Sequence, residues 1–265
     1  MESNPDLIQP AEWGSPGAIP VVLIHDGGGT TFAYHCLNSL SRAVYGIHNP
    51  SFHSGEPFQG SLSDMAHLYC GFIKEAIKEP DFPKSRNKDG KVRILLGGWS
   101  MGGHLSLEMA KQLDDEDSGI EVIGILMVDT VHPIRSSASG KVKRNDGTTE
   151  GKSKNQILAD KAMADGRRKI REWTPPVWNG ASQRPRTILL RAKKPVPMND
   201  GEVSLVDITR DSRTLGWDVY DKDMFAEIVD IEGDHFDIFE LDKIDGTSEA
   251  MKEALQDLDQ AVLKV

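Results

Sequence analysis

The sequence predicts an α/β fold, a mostly parallel sheet wound on both faces by helices. Two observations carry this: short apolar runs recur along the 265 residues, and helical periodicities sit between them. No internal repeat interrupts the alternation. The runs lie at 20–24 (PVVLI), 43–47 (AVYGI), 92–96 (VRILL), 120–128 (IEVIGILMV), 187–190 (TILL) and 225–231 (FAEIVDI). Most are β-branched and nearly continuous, as strands covered on both faces should be, and each is too short for a buried helix.

The helices follow in order. Ser61 and Asp64 have the spacing of a capping box, and Met65, Leu68, Phe72, Ile73 and Ile77 then recur on one helical face. A second helix should open near Ser100 and carry Leu105, Met109 and Leu113. A third, near the C-terminus, carries Met251, Leu255, Leu258 and Val262. One block breaks the rhythm. Residues 136–156 are polar, rich in Ser, Gly, Lys and Thr, and predict a flexible loop. Residues 157–173 predict a helix that Pro175 and Pro176 end. The block lies between two strands, so 134–184 reads as a lid inserted within a single domain, 1–265. From Arg135 to Glu172 it holds eleven Lys/Arg against five Asp/Glu.

Composition narrows the function classes. The chain is 38% hydrophobic and 27% charged, with a net charge of −10. That balance suits a globular protein and disfavours nucleic acid and anionic membranes as partners. Cys36 and Cys70 have no metal-ligand spacing and read as two buried thiols; no metal site is expected. The first 17 residues lack a basic start followed by an apolar run, and no stretch approaches a membrane span, so the expectation is a cytoplasmic protein.

The third run leads into Gly98-Trp99-Ser100-Met101-Gly102, between a predicted strand and a predicted helix. This is the nucleophile-elbow pattern of α/β-hydrolases. A sharp strand-to-helix turn lifts the serine oxygen clear of the sheet, and glycines two residues either side avoid a clash. Ser100 is therefore the candidate nucleophile. The first run ends in His25-Asp26-Gly27-Gly28-Gly29, close to the glycine loops that donate to an oxyanion. The candidate donors are the backbone N–H of Met101 and of Gly27, with Asp26 or Gly28 as alternatives. His25 itself reads as structural.

A general base should follow the last core strand. Of eight histidines only His235 lies beyond residue 132, directly after the run 225–231. His104 would face along the helix after Ser100, and His132 reads as a neighbour of the acid. Asp129 ends the run 120–128 and is the favoured acid. Asp200 is the main rival, Asp207 and Asp211 are further candidates, and Asp234 should point away from the ring.

These residues carry a resemblance. The strings IHDGGGTTFAYH, YGIHNP, GGWSMGGHLSLEMAKQL, ILMVDTVHP and EGDHFDIF resemble type I thioesterases of polyketide synthases and nonribosomal peptide synthetases, fungal polyketide thioesterases in particular. The resemblance spans residue 18 to the C-terminus except the lid. It implies the α/β-hydrolase fold, a Ser100–Asp129–His235 triad, no cofactor, and release of an acyl chain from the phosphopantetheine arm of an acyl carrier protein by hydrolysis or cyclisation. Asp26 departs from the glycine of related esterases. Phe32, Tyr34, Trp173 and Trp178 are candidates to line the acyl pocket, with core or lid packing as the favoured role of each taken singly. Lys141, Lys143, Arg144, Arg167, Arg168 and Lys169 are candidates to dock an acidic carrier. Two rival readings remain: a carboxylesterase or lipase acting on oxygen esters, and a non-catalytic ligand-binding relative.

Overall fold

The apolar runs pair into one sheet because their side chains alternate between two buried faces. In β2 (Val21–Ile24), Val21 and Leu23 join one core while Val22 and Ile24 join the other. The computed structural model describes residues 3–133, 151–178 and 184–263. Its sheet has eight strands: β1 (Asp6–Gln9), β2, β3 (Val44–Ile47), β4 (Ser85–Arg86), β5 (Val92–Trp99), β6 (Ile120–Val128), β7 (Arg186–Ala192) and β8 (Glu227–Ile231). The order is β1-β3-β2-β5-β6-β7-β8, and the pairs from β3 to β8 are all parallel. β1 closes one edge antiparallel to β3, and β4 pairs antiparallel with the start of β5. Neither β1 nor β4 is among the predicted strands. Both are short, and neither has a continuous apolar run.

Helix α1 (Phe32–His35) is a single turn after β2. Helix α2 (Leu62–Ala76) starts at Ser61, whose side chain and that of Asp64 cap each other's backbone N–H. Helix α3 (Met101–Asp115) follows Ser100 and packs with α2 on one face of the sheet. Helix α5 (Ile244–Leu263) covers the other face with Met251, Leu255 and Leu258. Helix α4 (Lys154–Glu172) lies between β6 and β7 in the chain and ends before Pro175. Its capping box, Ser153 with Gln156, starts it three residues earlier than the apolar pattern alone predicts. Among the described residues no helix is long and apolar enough to cross a membrane.

Candidate active site

Parallel strands bring their carboxyl ends to one edge, and the candidate residues gather there. Ser100 follows β5, Asp129 follows β6, the Asp26–Gly29 loop follows β2, and His235 lies four residues past β8. The elbow explains its glycines. A Cβ at Gly98 would stand 2.7 Å from the Gly102 backbone, and one at Gly102 only 2.3 Å from the Ile24 carbonyl oxygen. Ser100 takes φ 54°, ψ −113°, a strained conformation for a residue with a side chain. Its N–H donates to Val128 O at 2.8 Å, and Thr130 Oγ1 donates to its carbonyl at 3.0 Å, so the turn is tied to β6 on both sides.

The structure brings Ser100, His235 and Asp129 into one hydrogen-bonded line. Ser100 Oγ lies 3.0 Å from His235 Nε2, and His235 Nδ1 lies 2.7 Å from Asp129 Oδ2. The carboxylate only accepts, so Nδ1 carries the proton and Nε2 faces the hydroxyl as acceptor. His235 is positioned by its own loop and by β5: Asp234 Oδ1 accepts from Phe236 N at 2.9 Å, and Trp99 Nε1 donates to the His235 carbonyl at 3.0 Å. Asp234 is thus turned away from the ring.

Asp129 is fully buried and sits at φ 44°. Its Oδ1 accepts from Ala192 N at 2.9 Å and from Arg210 Nη1 at 2.6 Å, and its Oδ2 accepts from Arg210 Nη2 at 2.8 Å. Burial alone would raise this carboxyl. The hydrogen bonds from His235 and Arg210 outweigh it and hold Asp129 at about 2. Arg210 is absent from the sequence reading. The three rival acids lie elsewhere. Asp200 and Asp211 are exposed, and Asp207 contacts the far side of Arg210, accepting from its Nε at 2.9 Å.

The other histidines hold the frame. His25 is buried; its Nδ1 donates to the Asp26 carbonyl and its Nε2 accepts from Tyr69 OH at 2.7 Å. His104 donates to the Val131 carbonyl at 2.8 Å. Burial pushes both imidazoles down to about 4, so they are neutral at pH 7. His132 stacks edge-on against Trp217 with ring centres 5.2 Å apart.

The glycine loop and α4 meet over the nucleophile helix. The Asp26 carboxyl folds back toward the Gly28 N–H. A Cβ at Gly27 would be 3.5 Å from Met163 Cγ, and a Cβ at Gly166 would be 2.8 Å from Met101 Sδ and 3.6 Å from Gly27 Cα. One face of α4 therefore rests on both candidate oxyanion donors. Glycine at 166 is costly inside a helix and is used here for that close approach.

Three of the four pocket aromatics, and one of the docking cations, lie elsewhere than expected. Tyr34 is 1% exposed, donating to the Ile24 carbonyl at 2.7 Å and accepting from Trp99 N at 2.9 Å; it braces β2 against β5 and has no face for a substrate. Trp173 is also buried, with Nε1 donating to Glu108 Oε2 at 2.9 Å, and anchors the end of α4 to α3. Trp178 lies beside Ala110 and Lys111, more than two turns along α3 from Ser100, in a groove with Asn87 and Arg184. Phe32 alone is open, 76% exposed, and borders a cavity of about 600 Å³ with Gly29, His35, His48, Phe52 and Ala159. Lys169 is 1% exposed and donates to the carbonyls of Phe58, at 2.8 Å, and Gly60. It staples α4 to the loop before α2 and is not available to a partner. Arg167 and Arg168 are exposed, whereas Lys141, Lys143 and Arg144 lie outside the described residues.

Comparison with known proteins gives the chain a family and a fold. The family described as "Thioesterase domain" matches residues 19–165. The chain is 34% identical to Thioesterase frbE of Dothideomycetidae sp. (strain 11243), over 98% of each chain. It is 33% identical to the probable thioesterase BOA10 of Botryotinia fuckeliana (strain B05.10), over 97% of this chain and 91% of that one. Among solved structures it resembles the NocB thioesterase domain in covalent complex with a fluorophosphonate nocardicin G analog, at TM-score 0.65 and 23% identity over 92% of this chain and 96% of that one. It also resembles YbtT, a type II thioesterase from the yersiniabactin NRPS/PKS pathway, at TM-score 0.60 and 16% identity over 97% and 98%. These structural likenesses establish the α/β-hydrolase fold.

Proposed function

The chain belongs to the thioesterase family, a family of hydrolases, and from that premise we propose that it releases acyl chains from the phosphopantetheine arm of a carrier protein through an acyl-enzyme on Ser100. The observation that supports this most is the line Ser100–His235–Asp129 at 3.0 and 2.7 Å. His235 Nε2 takes the hydroxyl proton as Ser100 Oγ attacks the thioester carbonyl. The oxygen of the tetrahedral adduct is stabilised by the N–H groups of Met101 and Gly27. The Met101 amide lies in the first turn of α3 and has no intrahelical acceptor, while the Gly28 amide is engaged by Asp26. The carbon–sulfur bond then breaks, His235 returns its proton to the departing sulfur, and an ester remains on Ser100. Water, or a hydroxyl or amine of the chain itself, attacks that ester with His235 again as base. Water gives a free acid, an internal nucleophile a ring.

In this reading the segment 134–184 is the lid, of which 134–150 and 179–183 lie outside the described residues. Helix α4 excludes water from the oxyanion donors, and its exposed Arg167 and Arg168 steer an acidic carrier. The apolar chain occupies the cavity beside Phe32, next to Gly29 of the donor loop. The test is turnover of carrier-bound acyl thioesters against matched oxygen esters, by wild type and Ser100→Ala, with products read by mass spectrometry. Serine-dependent cleavage that favours the carrier-bound thioester is expected. Cleavage of oxygen esters alone would place the chain among carboxylesterases. Labelling of neither protein by a fluorophosphonate would remove the nucleophile from the argument.

A further inference from the structure

Arg210 lies in the segment between β7 and β8, 81 residues from Asp129 in the chain, yet its guanidinium grips both oxygens of that carboxylate. Its remaining donors are also engaged. Nη1 reaches the Ala192 carbonyl at 3.2 Å, Nη2 the Val206 carbonyl at 3.4 Å, and Nε the Asp207 carboxylate at 2.9 Å. Asp207 is fixed in turn by the Val196 N–H at 2.7 Å. All five N–H groups of a side chain only 8% exposed thus have acceptors, and two of them define the plane of the Asp129 carboxylate. An arginine fork on a buried carboxylate sets its orientation in a way that a single hydrogen bond does not.

We infer that Arg210, braced by Asp207, is a positioning residue for the hydrolytic reaction: it fixes the Asp129 carboxylate against His235 and places a cation behind it. The inference rests on the triad reading above. Oδ1 of Asp129 is occupied by Ala192 N and Arg210, so only Oδ2 meets the imidazole, and the ring is held with Nε2 toward Ser100. A lone buried carboxylate would stabilise the imidazolium strongly and delay formation of the neutral base as pH rises. The guanidinium cancels part of that negative charge. The other titratable groups facing the pair are Asp207 behind Arg210, Asp26 from the loop after β2, and His104 from α3. None of them supplies a cation in place of Arg210 at neutral pH, since burial keeps His104 uncharged there.

The experiment compares wild type, Ser100→Ala, Arg210→Gln and Arg210→Lys on one carrier-bound thioester, with kcat and KM taken from pH 5 to 9. Folding is checked by circular dichroism and by thermal denaturation. In Arg210→Gln the acidic limb of kcat/KM should move up by about one pH unit, as expected when a cation a few ångströms away is lost. Its kcat should fall roughly 10- to 100-fold with KM within twofold, short of the ~10⁴ that follows neutralising a triad carboxylate itself. Arg210→Lys keeps the charge without the fork. It should hold the acidic limb at its wild-type position while recovering only part of kcat. An unshifted limb in a folded Arg210→Gln would overturn the inference. If that variant does not fold, a limb displaced upward in Arg210→Lys overturns it instead. Full wild-type turnover by Ser100→Ala would sink the triad reading itself, which is a separate result; with Ser100→Ala inactive, the Arg210 variants bear on the clamp alone.

Discussion

The acid end of the site and the donor end are built on opposite principles. Around Asp129 the contacts are ionic and saturated: a fully buried carboxylate meets His235, Arg210 and a backbone N–H on both of its oxygens. Around Met101 and Gly27 the contacts are shape alone, made by Met163 and Gly166 of α4. A buried charge released from its partners is left uncompensated, so the first end has one arrangement of low energy. A seat made of glycine and methionine has no such penalty, because methionine refills irregular gaps. The acid end is suited to holding a geometry. The donor end is held by the fit of α4 against it. α4 is nevertheless fixed at one end: Asp165 accepts from Phe58 N at 3.2 Å, Lys169 reaches the Phe58 carbonyl at 2.8 Å, and Trp173 reaches Glu108 at 2.9 Å.

The largest effect should come from breaking the ionic end. Asp129→Asn should lower kcat by about 10⁴, since an amide can present the wrong group to Nδ1 and cannot stabilise the imidazolium. It should also lower thermal stability, because Arg210 loses its anionic partner in a buried site. Kinetics and thermal denaturation on one preparation measure both. A variant that kept its activity would mean that another carboxylate serves His235, and Asp207 is too far behind Arg210 to do so without rearrangement.

The shape-based end should respond to size. Gly166→Leu drives a branched side chain into Met101 and Gly27 and should lift α4 from its seat. Misplacing groups near reacting atoms by about an ångström can cost about 10²-fold, so turnover of the carrier-bound thioester should fall by that order. Fluorophosphonate labelling of Ser100, which needs no covered pocket, should persist. Gly166→Ala adds one carbon opposite a flexible methionine sulfur and gains helix propensity, so it should change stability by no more than about 1 kcal/mol in either direction. Equal loss of labelling and turnover in Gly166→Leu would mean that α4 supports the elbow itself.

The same contrast governs what the sequence discloses. The nucleophile elbow is local: seven consecutive residues and their flanking periodicities predict both the strand and the helix around Ser100. His235 and Asp129 are legible because parallel strands deliver their carboxyl ends to one edge, so residues at strand tips converge. Arg210 has no such signature. It stands three residues after Asp207 in an irregular stretch, and nothing along the chain marks that its charge points inward. Tyr34 and Trp173 pack inside the fold for the related reason that an aromatic near a motif in sequence is more often packing than pocket. Lys169 sits on a basic helix and looks solvated, yet two backbone carbonyls from a loop over a hundred residues away accept from it. The β1 strand, DLIQ, is too short and too polar to stand out, and forms because an edge pairing with β3 was available.

A smaller effect should appear where α4 is tied down. Trp173→Phe keeps most of the buried ring and removes the N–H that meets Glu108 Oε2. Hydrogen bonds to charged groups contribute roughly 1.5–3 kcal/mol, and Glu108 keeps Gln112 Nε2 at 3.0 Å, so the expected loss is at the lower end of that range. Urea denaturation with an unchanged m-value would measure it. A loss above about 4 kcal/mol would mean that the ring, and not the bond, fixes α4 to α3.

The most conditional effect concerns Asp26, a carboxylate on the shape-based side of the site. Burial raises it from 3.8 to about 6 against the opposing backbone N–H of Gly28 and the charge of His235. The sign follows from which state holds the proton. Between about pH 4 and 6 the folded chain keeps a proton that the unfolded chain has released, so this group's contribution to stability falls as pH rises through that window. Above pH 6 the folded chain carries a poorly solvated charge. Asp26→Asn keeps an oxygen for the Gly28 N–H and removes that charge. It should therefore raise Tm by a few degrees at pH 7 and leave it nearly unchanged at pH 4, for a shift of about two units that corresponds to no more than about 3 kcal/mol. A gain of equal size at both pH values would trace the effect to packing, and a loss at pH 7 would mean that the ionised carboxylate is what holds the glycine loop in place. In that second case the donor end would depend on a half-buried charge as the acid end depends on a buried one, and the contrast between the two would narrow to the number of partners each carboxylate has.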